Sequence, residues 1–196
     1  GNSGSYKQSR SLASVALRKG IDNDWFQHLD YFTVDLNEEY SALFGGVLEE
    51  QAQFIEKAIR AILKLYEKLP HPPKKIVVIG HSIGGKLIQK LLTSEATAKL
   101  INSAITLATP MDKAVLNLDA HMNKFYESIE TYWVENRGIT KLMNNSCSGC
   151  QQRREIKSKK LLLDDKLLIT IGGGRKDLMV HSGLTDSKYS DLHVMS

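Results

Sequence analysis

Hydrophobic side chains recur along the chain with two different spacings. Between residues 47 and 69 they alternate steps of three and four, which predicts a long amphipathic helix. Shorter stretches with helical spacing predict helices at 8–19, 85–92 and 118–133. Short apolar segments rich in β-forming residues predict strands at 29–36, 75–79, 103–108 and 166–171. The segment at 75–79 is apolar almost throughout, which is typical of a strand covered on both faces.

The predicted strands and helices alternate, which indicates an α/β fold, with a mostly parallel sheet and helices on both of its faces. A length of 196 residues fits one domain over 1–196. Residues 143–160 interrupt the alternation, because they are polar and then basic, and we expect a surface insertion there. None of the apolar segments approaches the ~18 residues of a membrane span.

The net charge of +4 is local rather than spread over the protein. Five basic residues and one acidic residue lie at 153–160, and the other 21 basic and 21 acidic residues balance each other. A nucleic-acid-binding surface extending over the protein is therefore not expected. A solvated loop is the simplest interpretation of the basic segment, and contact with anionic lipid head groups is the alternative.

One motif carries chemistry. Residues 80–84 read Gly-His-Ser-Ile-Gly, directly after a predicted strand and directly before a predicted helix. This is the setting of a nucleophile elbow, in which Ser82 takes a strained backbone conformation that holds its hydroxyl clear of the sheet. The backbone N–H of Ile83 would then point at the developing oxyanion. The alternative is a glycine-rich turn that carries a bystander serine.

Two further groups of such a site follow from position along the chain. The acid should come after a later strand, and Asp177 follows the predicted strand 166–171, whereas Asp164 and Asp165 precede it. A solvated or capping role for Asp177 stays open. A second oxyanion donor is expected on an earlier loop, and the opening Gly-Asn-Ser-Gly segment around Asn2 fits, unless it is a flexible tail.

The catalytic base is the missing part of the pattern. Five of the six histidines precede the serine, lie in the elbow, precede the acid or follow it too closely: His28, His71, His81, His121 and His181. Only His193 has the right order, but the 15 residues between it and Asp177 are few for a crossover helix and another strand. We therefore expect the base beyond Ser196.

Several segments together resemble one known family. They are Gly-Asn-Ser-Gly-Ser-Tyr-Lys-Gln at 1–8 with Arg10-Ser11, Asp-Leu-Asn-Glu-Glu at 35–39, Leu-Phe-Gly-Gly at 43–46, the elbow at 79–85, Ala-Thr-Pro at 108–110, Gly173-Gly174 with Asp177, and Ser-Gly-Leu-Thr at 182–185. In these segments the chain is similar to the glycosylphosphatidylinositol (GPI) inositol-deacylases, lipase-like α/β-hydrolases. The likeness covers most of 1–136 and 166–186.

The resemblance implies an α/β-hydrolase with Ser82 as nucleophile and Asp177 as triad acid. Backbone amides at Asn2 and Ile83 would form the oxyanion hole. The implied reaction removes the acyl chain from the inositol of GPI anchors in the endoplasmic reticulum, a step in protein transport linked to export of GPI-anchored proteins. The GPI lipid and those proteins would be the partners, with the domain lumenal and tethered to the membrane by other parts of the protein. Neither a metal nor a cofactor is needed.

The chain departs from the family pattern in three places. The apolar strand before the opening loop is absent, the insertion at 143–160 does not fit, and Asp191-Leu192-His193 matches the family's Thr-Asp-His type segment poorly. We therefore expect a domain that is incomplete at both ends. On its own, the 196-residue chain should fold marginally and show little or no activity.

Smaller signals lie within the insertion, and two other functions stay open. Asn144 begins a glycosylation acceptor sequence, and Cys147 and Cys150 are close enough along the chain to form a tight disulfide. A lipase or thioesterase with another acyl substrate fits the same elbow. So does a hydrolase-like module that binds lipid without catalysis.

Overall fold

In the computed structural model, the described residues are 6–25, 29–37, 44–116, 119–137 and 162–195. The helices are α1 (Arg10–Asp22), α2 (Leu48–Leu65), α3 (Ile83–Leu91), α4 (Glu95–Ala98), α5 (Ala120–Asn136) and α6 (Ser182–Thr185). The strands are β1 (Ile76–His81), β2 (Ile101–Leu107), β3 (Leu167–Gly172) and β4 (Leu192–Met195). Short 3-10 turns lie at Tyr6–Ser9, Gly45–Val47 and Gly174–Lys176.

The four strands form one parallel sheet in the order β1-β2-β3-β4. At its carboxyl edge His81 lies beside Leu107, Leu107 beside Ile171, and Ile171 beside Val194. Parallel strands need crossovers between them, so the loops that follow β1, β2 and β3 emerge at the same edge. The predicted α/β class with a parallel sheet is confirmed, and any site built from these loops lies at that edge.

The core lies where α3 packs against the sheet and α2 and α5 pack around α3. Helix α2 buries Leu48, Ala52 and Ile59, four and seven residues apart, which is the stripe that its sequence predicts. Helix α5 buries a similar stripe that ends at Trp133, whose indole N–H donates to the Gln89 carbonyl of α3 at 3.1 Å. These helices and the buried side chains of β2 and β3 form one apolar cluster.

Most predicted elements are confirmed, with shifted ends. The helix predicted over 47–69 ends at Leu65, before the Pro72-Pro73 pair. The strand predicted over 29–36 is wrong: among the described residues this segment has no strand pairing, and most of it is exposed. β-Forming side chains favour a strand only where a neighbouring strand and a packing surface are present.

Two features of the sheet differ from the prediction. Strand β4 was not predicted, and it follows β3 after a crossover that contains the 3-10 turn Gly174–Lys176 and the four-residue helix α6. The predicted cover on both faces of β1 is also wrong, since Val77 and Ile79 are 56% and 42% exposed. Helix α3 covers the other face, where an added Cβ at Gly80 would lie 2.6 Å from the Gly84 carbonyl oxygen.

Several predicted features fall outside the described residues. They are Asn2 of the opening loop, His28, and the whole insertion at 143–160, with Asn144, Cys147 and Cys150. In the described part of the chain, no helix combines the length and hydropathy that crossing a membrane requires.

Candidate active site

Ser82 lies at the point where β1 turns directly into α3. Its backbone has φ 55° and ψ −128°, a conformation that non-glycine residues rarely adopt. The N–H of Ser82 donates to the Leu107 carbonyl of β2 at 2.8 Å, and its own carbonyl accepts the N–H of Gly85 at 3.0 Å. The half-buried serine is therefore held in its strained conformation by the neighbouring strand and by the first turn of α3.

The turn is tight enough to require glycine on both sides of the serine. A Cβ at Gly80 would lie 2.6 Å from the backbone of the next turn. A Cβ at Gly85 would lie 2.1 Å from Oγ1 of Thr109, in the loop after β2. These contacts bring α3 close to the carboxyl ends of both strands.

The N-terminus of α3 faces the same edge of the sheet. Ile83 is the first residue of the helix, and its side chain is buried. The first N–H groups of a helix have no partner within it, and the helix dipole makes them suitable for a developing negative charge. The hydroxyl of Ser82 makes no capping hydrogen bond to these groups. Ile83 stays the predicted oxyanion donor.

The carboxylate of Asp177 is fixed in the loop after β3. Its Oδ1 accepts the N–H groups of Met179 at 3.0 Å and of Val180 at 2.9 Å. Its Oδ2 lies against the backbone of Gly173, where an added Cβ would come within 2.5 Å. One carboxylate oxygen is thus used for orientation, while the other has no hydrogen bond to the described residues.

The charge of Asp177 reaches the elbow. Burial lowers the pKa of the His81 imidazole, and the carboxylate of Asp177 acts in the opposite direction and raises it. His81 is the residue before Ser82, so the acid and the serine belong to one electrostatic environment. Asp164 and Asp165 precede β3 and lie away from this edge, as the sequence predicted.

The described histidines nearest in sequence to the acid have other roles. His193 lies within β4, beside Thr170 of β3, and its Nδ1 is 2.8 Å from the Thr170 hydroxyl. The His181 Nδ1 accepts the N–H of Gly183 and caps α6. None of the hydrogen bonds within the described residues joins an imidazole to Ser82.

Two features of the site were not predicted from the sequence. Ala108, at the end of β2, has φ 45°, so a second strained residue lies at the same edge, and its N–H donates to the Ile171 carbonyl of β3. Lys86 of α3, one turn after Ser82, is 1% exposed, and burial lowers the pKa of its ammonium to about 7. The sequence carries no signal for this burial, because Lys90 has the same setting, with an apolar residue three positions before it and another directly after it, and is partly exposed.

The chain is similar to known proteins over its whole length. The family described as PGAP1-like alpha/beta domain matches residues 1–196. GPI inositol-deacylase of Drosophila melanogaster is 45% identical over 204 residues, and that of Rattus norvegicus is 39% identical over 186, with 100% and 94% of the chain covered. The chain spans about a fifth of the length of these relatives, 21% and 18%.

Among solved structures, a crystal structure described as a cell surface hydrolase from Lactobacillus plantarum WCFS1 is 12% identical, with a TM-score of 0.46, covering 96% of the chain and 76% of that protein. The family match extends over all 196 residues, and the relatives exceed 30% identity over nearly the whole chain. The chain therefore belongs to the PGAP1-like alpha/beta domain family.

Proposed function

We propose that this domain is the catalytic part of a serine ester hydrolase, with Ser82 as nucleophile and Asp177 as triad acid. One observation carries the proposal: Ser82 holds φ 55° where a parallel strand turns into a helix. Strained non-glycine residues of this kind persist where the surrounding structure imposes them, and they cluster at active sites. A bystander serine would not need a conformation that costs about 1–3 kcal/mol.

The proposed reaction uses groups at the carboxyl edge of the sheet. A base takes the hydroxyl proton of Ser82 as its oxygen attacks the acyl carbonyl, and water later hydrolyses the acyl-enzyme. The N–H of Ile83 and a backbone N–H at Asn2 would donate to the oxyanion. Asp177 would orient the base through Oδ2, since Oδ1 already accepts two backbone N–H groups.

We propose that the ester is the acyl chain on the inositol of a GPI anchor. The supporting finding is that relatives named GPI inositol-deacylase in animals and fungi match 68–100% of this chain at 31–45% identity. The GPI lipid and GPI-anchored proteins would then be the partners, in the lumen of the endoplasmic reticulum. Membrane attachment would come from other parts of the protein.

The proposal takes the base from the segment that follows β4. The chain order of this fold is serine, acid, histidine, with the histidine after a further strand. His193 lies within that strand rather than after it, and its imidazole contacts Thr170. We therefore expect the 196-residue chain on its own to hydrolyse esters slowly or not at all.

The test compares Ser82→Ala with Ser94→Ala in the full-length protein, using a fluorophosphonate probe and an inositol-acylated GPI substrate. Ser94 precedes α4, and its side chain makes no capping bond. We expect Ser82→Ala to lose labelling and to slow acyl release at least ~10³-fold with an unchanged melting temperature, and Ser94→Ala to keep both activities. Unchanged acyl release in Ser82→Ala would rule out Ser82 as nucleophile.

Two other outcomes would redirect the assignment. Release from simple esters or thioesters, but not from the GPI substrate, would indicate a lipase or thioesterase with another acyl substrate. Binding of GPI without probe labelling of Ser82 would indicate a non-catalytic lipid-binding module.

A further inference from the structure

Lys86 places an ammonium group in the interior, one helical turn after Ser82. The residue is 1% exposed, and its Nζ donates to the Met111 carbonyl at 2.6 Å. The ammonium also lies 4.2 Å from the ring centroid of Tyr126, on α5. An apolar side chain of similar length would fill this space without the cost of burying a charge, so core packing alone does not account for the lysine.

The carbonyl that Lys86 holds belongs to a residue that joins three parts of the site. Met111 lies in the loop after β2, and its side chain is 1% exposed. Its N–H donates to the Leu184 carbonyl of α6 at 2.8 Å. Helix α6 lies in the crossover that also carries Asp177, and the Ser182 hydroxyl of α6 donates to the Gly174 carbonyl at 3.3 Å. The peptide groups of Met111 therefore connect the helix of the serine to the segment of the acid.

A second hydrogen bond fixes the same loop from α5. The Tyr126 hydroxyl donates to the Pro110 carbonyl at 3.1 Å, and its ring lies under the ammonium of Lys86. Thr109 packs directly on Gly85 of α3. Residues 109–111 are thus held by contacts from α3 and from α5, and among these contacts the hydrogen bond from Lys86 is the one made by a charged group.

We propose that Lys86 is a positioning residue for the proposed hydrolysis. It fixes Met111, and through it α6, so that Ser82 and Asp177 keep the spacing that the reaction requires. The inference rests on the proposed function of Ser82 and extends it to a residue that does not touch the substrate. Displacing catalytic groups by about 1 Å can lower the rate about 10²-fold, so a contact that fixes the spacing of Ser82 and Asp177 would affect kcat without touching the substrate.

The groups that face the ammonium make its charge sensitive to pH. Burial lowers the pKa of Lys86 to about 7, and the carboxylates of Asp112 and Glu130 partly oppose this by raising it. Burial and the charge of Glu130 in turn raise the pKa of Asp112, which Lys86 and Lys188 lower. Tyr126 faces the ammonium from α5, and burial raises the pKa of its hydroxyl.

The pH dependences of stability and of kcat distinguish a positioning role of Lys86 from a purely structural one. The pKa of Lys86 is lower in the folded protein than its ordinary value of 10.5, so the unfolded chain binds the proton more tightly. Stability from this group is therefore lowest below about pH 7 and rises as the pH increases towards 10.5. In the folded protein the ammonium loses its proton as the pH rises through about 7, and the charge-assisted hydrogen bond to Met111 weakens with it, so its contribution to kcat falls while stability rises.

The experiment compares Lys86→Met, Lys86→Gln and Lys90→Met in the full-length protein. Lys90 is one turn further along α3, and its ammonium forms a partly exposed ion pair with Glu49 at 3.0 Å, which makes it the matched control. We expect Lys86→Met to lose about 10–100-fold in kcat at pH ~6.5, with KM unchanged and a melting temperature equal to or above that of wild type. The ratio of wild-type to variant kcat should shrink at higher pH, and Lys90→Met should behave as wild type.

Lys86→Gln keeps an N–H donor without the charge, so it tests the positioning role of Lys86 if Lys86→Met does not fold. A kcat between those of wild type and Lys86→Met, or a reduced kcat with a wild-type melting temperature, supports the inference. Wild-type kcat in a folded variant, or loss of kcat only in proportion to loss of melting temperature, contradicts it. If the wild-type protein itself neither reacts with the probe nor releases the acyl chain, it is the proposed function that fails.

Discussion

The carboxylate of Asp177 lies against the bare Cα of Gly173, and its position depends on the missing side chain. A Cβ at this position would come within 2.5 Å of Oδ2 and 2.9 Å of the Asp177 Cβ. The backbone of Gly173 has φ −77°, which any residue can adopt. A larger residue would therefore disturb the carboxylate rather than the backbone.

We predict that Gly173→Ala lowers kcat of the full-length protein about 10–100-fold, because the acid is displaced from the base that it orients. The melting temperature should change little, since the backbone conformation suits alanine. Gly183→Ala is the matched control in the same crossover, because the nearest atom to its Cβ is Nδ1 of His181 at an ordinary 3.5 Å. Wild-type turnover in Gly173→Ala would show that the position of Asp177 does not limit the reaction.

For single residues, the sequence predicts the positions of motifs better than it predicts how buried a given side chain is. Ser82 and Asp177 are located by a spacing rule and by their place after strands, and both rules depend on short stretches of chain. Rules of this kind cannot distinguish Lys86 from Lys90, since both are lysines four residues apart in one amphipathic helix. Only the packing of α5 and of the loop after β2 makes one of them 1% exposed and leaves the other in an ion pair with Glu49.

At the scale of elements, one carboxylate joins the start of α5 to the turn before α2. The side chain of Asp119 accepts the N–H of Met122 at 2.6 Å, as an N-cap does, and the N–H of Gly45 at 2.9 Å. These two hydrogen bonds lower the pKa of the Asp119 carboxyl, and the one from Gly45 has the larger effect. The cap therefore also fixes the turn at Gly45–Val47, whose backbone lies against α5.

We predict that Asp119→Ala lowers the melting temperature of the full-length protein, and that the difference from wild type depends on pH. The carboxyl binds its proton less tightly in the folded state, so its stabilisation is complete above the ordinary pKa of 3.8 and is lost as the pH falls through the lowered value. Melting curves from about pH 7 to about pH 3 should show the two proteins converging.

Two variants test the cause of that difference. Asp119→Asn keeps an acceptor oxygen, so it should retain most of the cap at neutral pH and lose the pH dependence. Glu127→Ala removes an exposed carboxylate from the same helix and should leave the melting curves nearly unchanged. A constant difference between Asp119→Ala and wild type at all pH values would mean that the charge contributes nothing.

The two errors in the strand prediction have one cause, since a strand is defined by its neighbours. Segment 29–36 is rich in β-formers, but no described strand pairs with it. Strand β4 has only four residues, too few to show an alternating pattern, yet it pairs with β3 over its whole length. The helices and the longer strands were predictable because their periodicity lies within the element itself.

At the scale of the whole molecule, one face of the sheet carries apolar side chains that are exposed. Neighbouring strands bring them together: Val77 and Ile79 of β1, Leu167 of β3, and Leu192 and Val194 of β4. Exposed apolar patches of this kind promote contact with other surfaces. The alternating elements predicted an α/β domain, but not which face of the sheet would lack cover in the 196-residue chain.

We predict that the 196-residue chain on its own binds the neutral dye Nile red and associates, and that Ile79→Gln with Leu192→Gln reduces dye fluorescence to about half or less. The matched control is Leu65→Gln with Leu69→Gln: these residues are also exposed, at 70% and 50%, but Leu65 ends α2 and Leu69 follows it, so neither belongs to the sheet. Equal fluorescence in the two double variants would assign the binding to scattered surface residues. A larger loss in the sheet variant would show that the dye binds to the continuous apolar face across β1 to β4, since the control removes as much exposed apolar side chain.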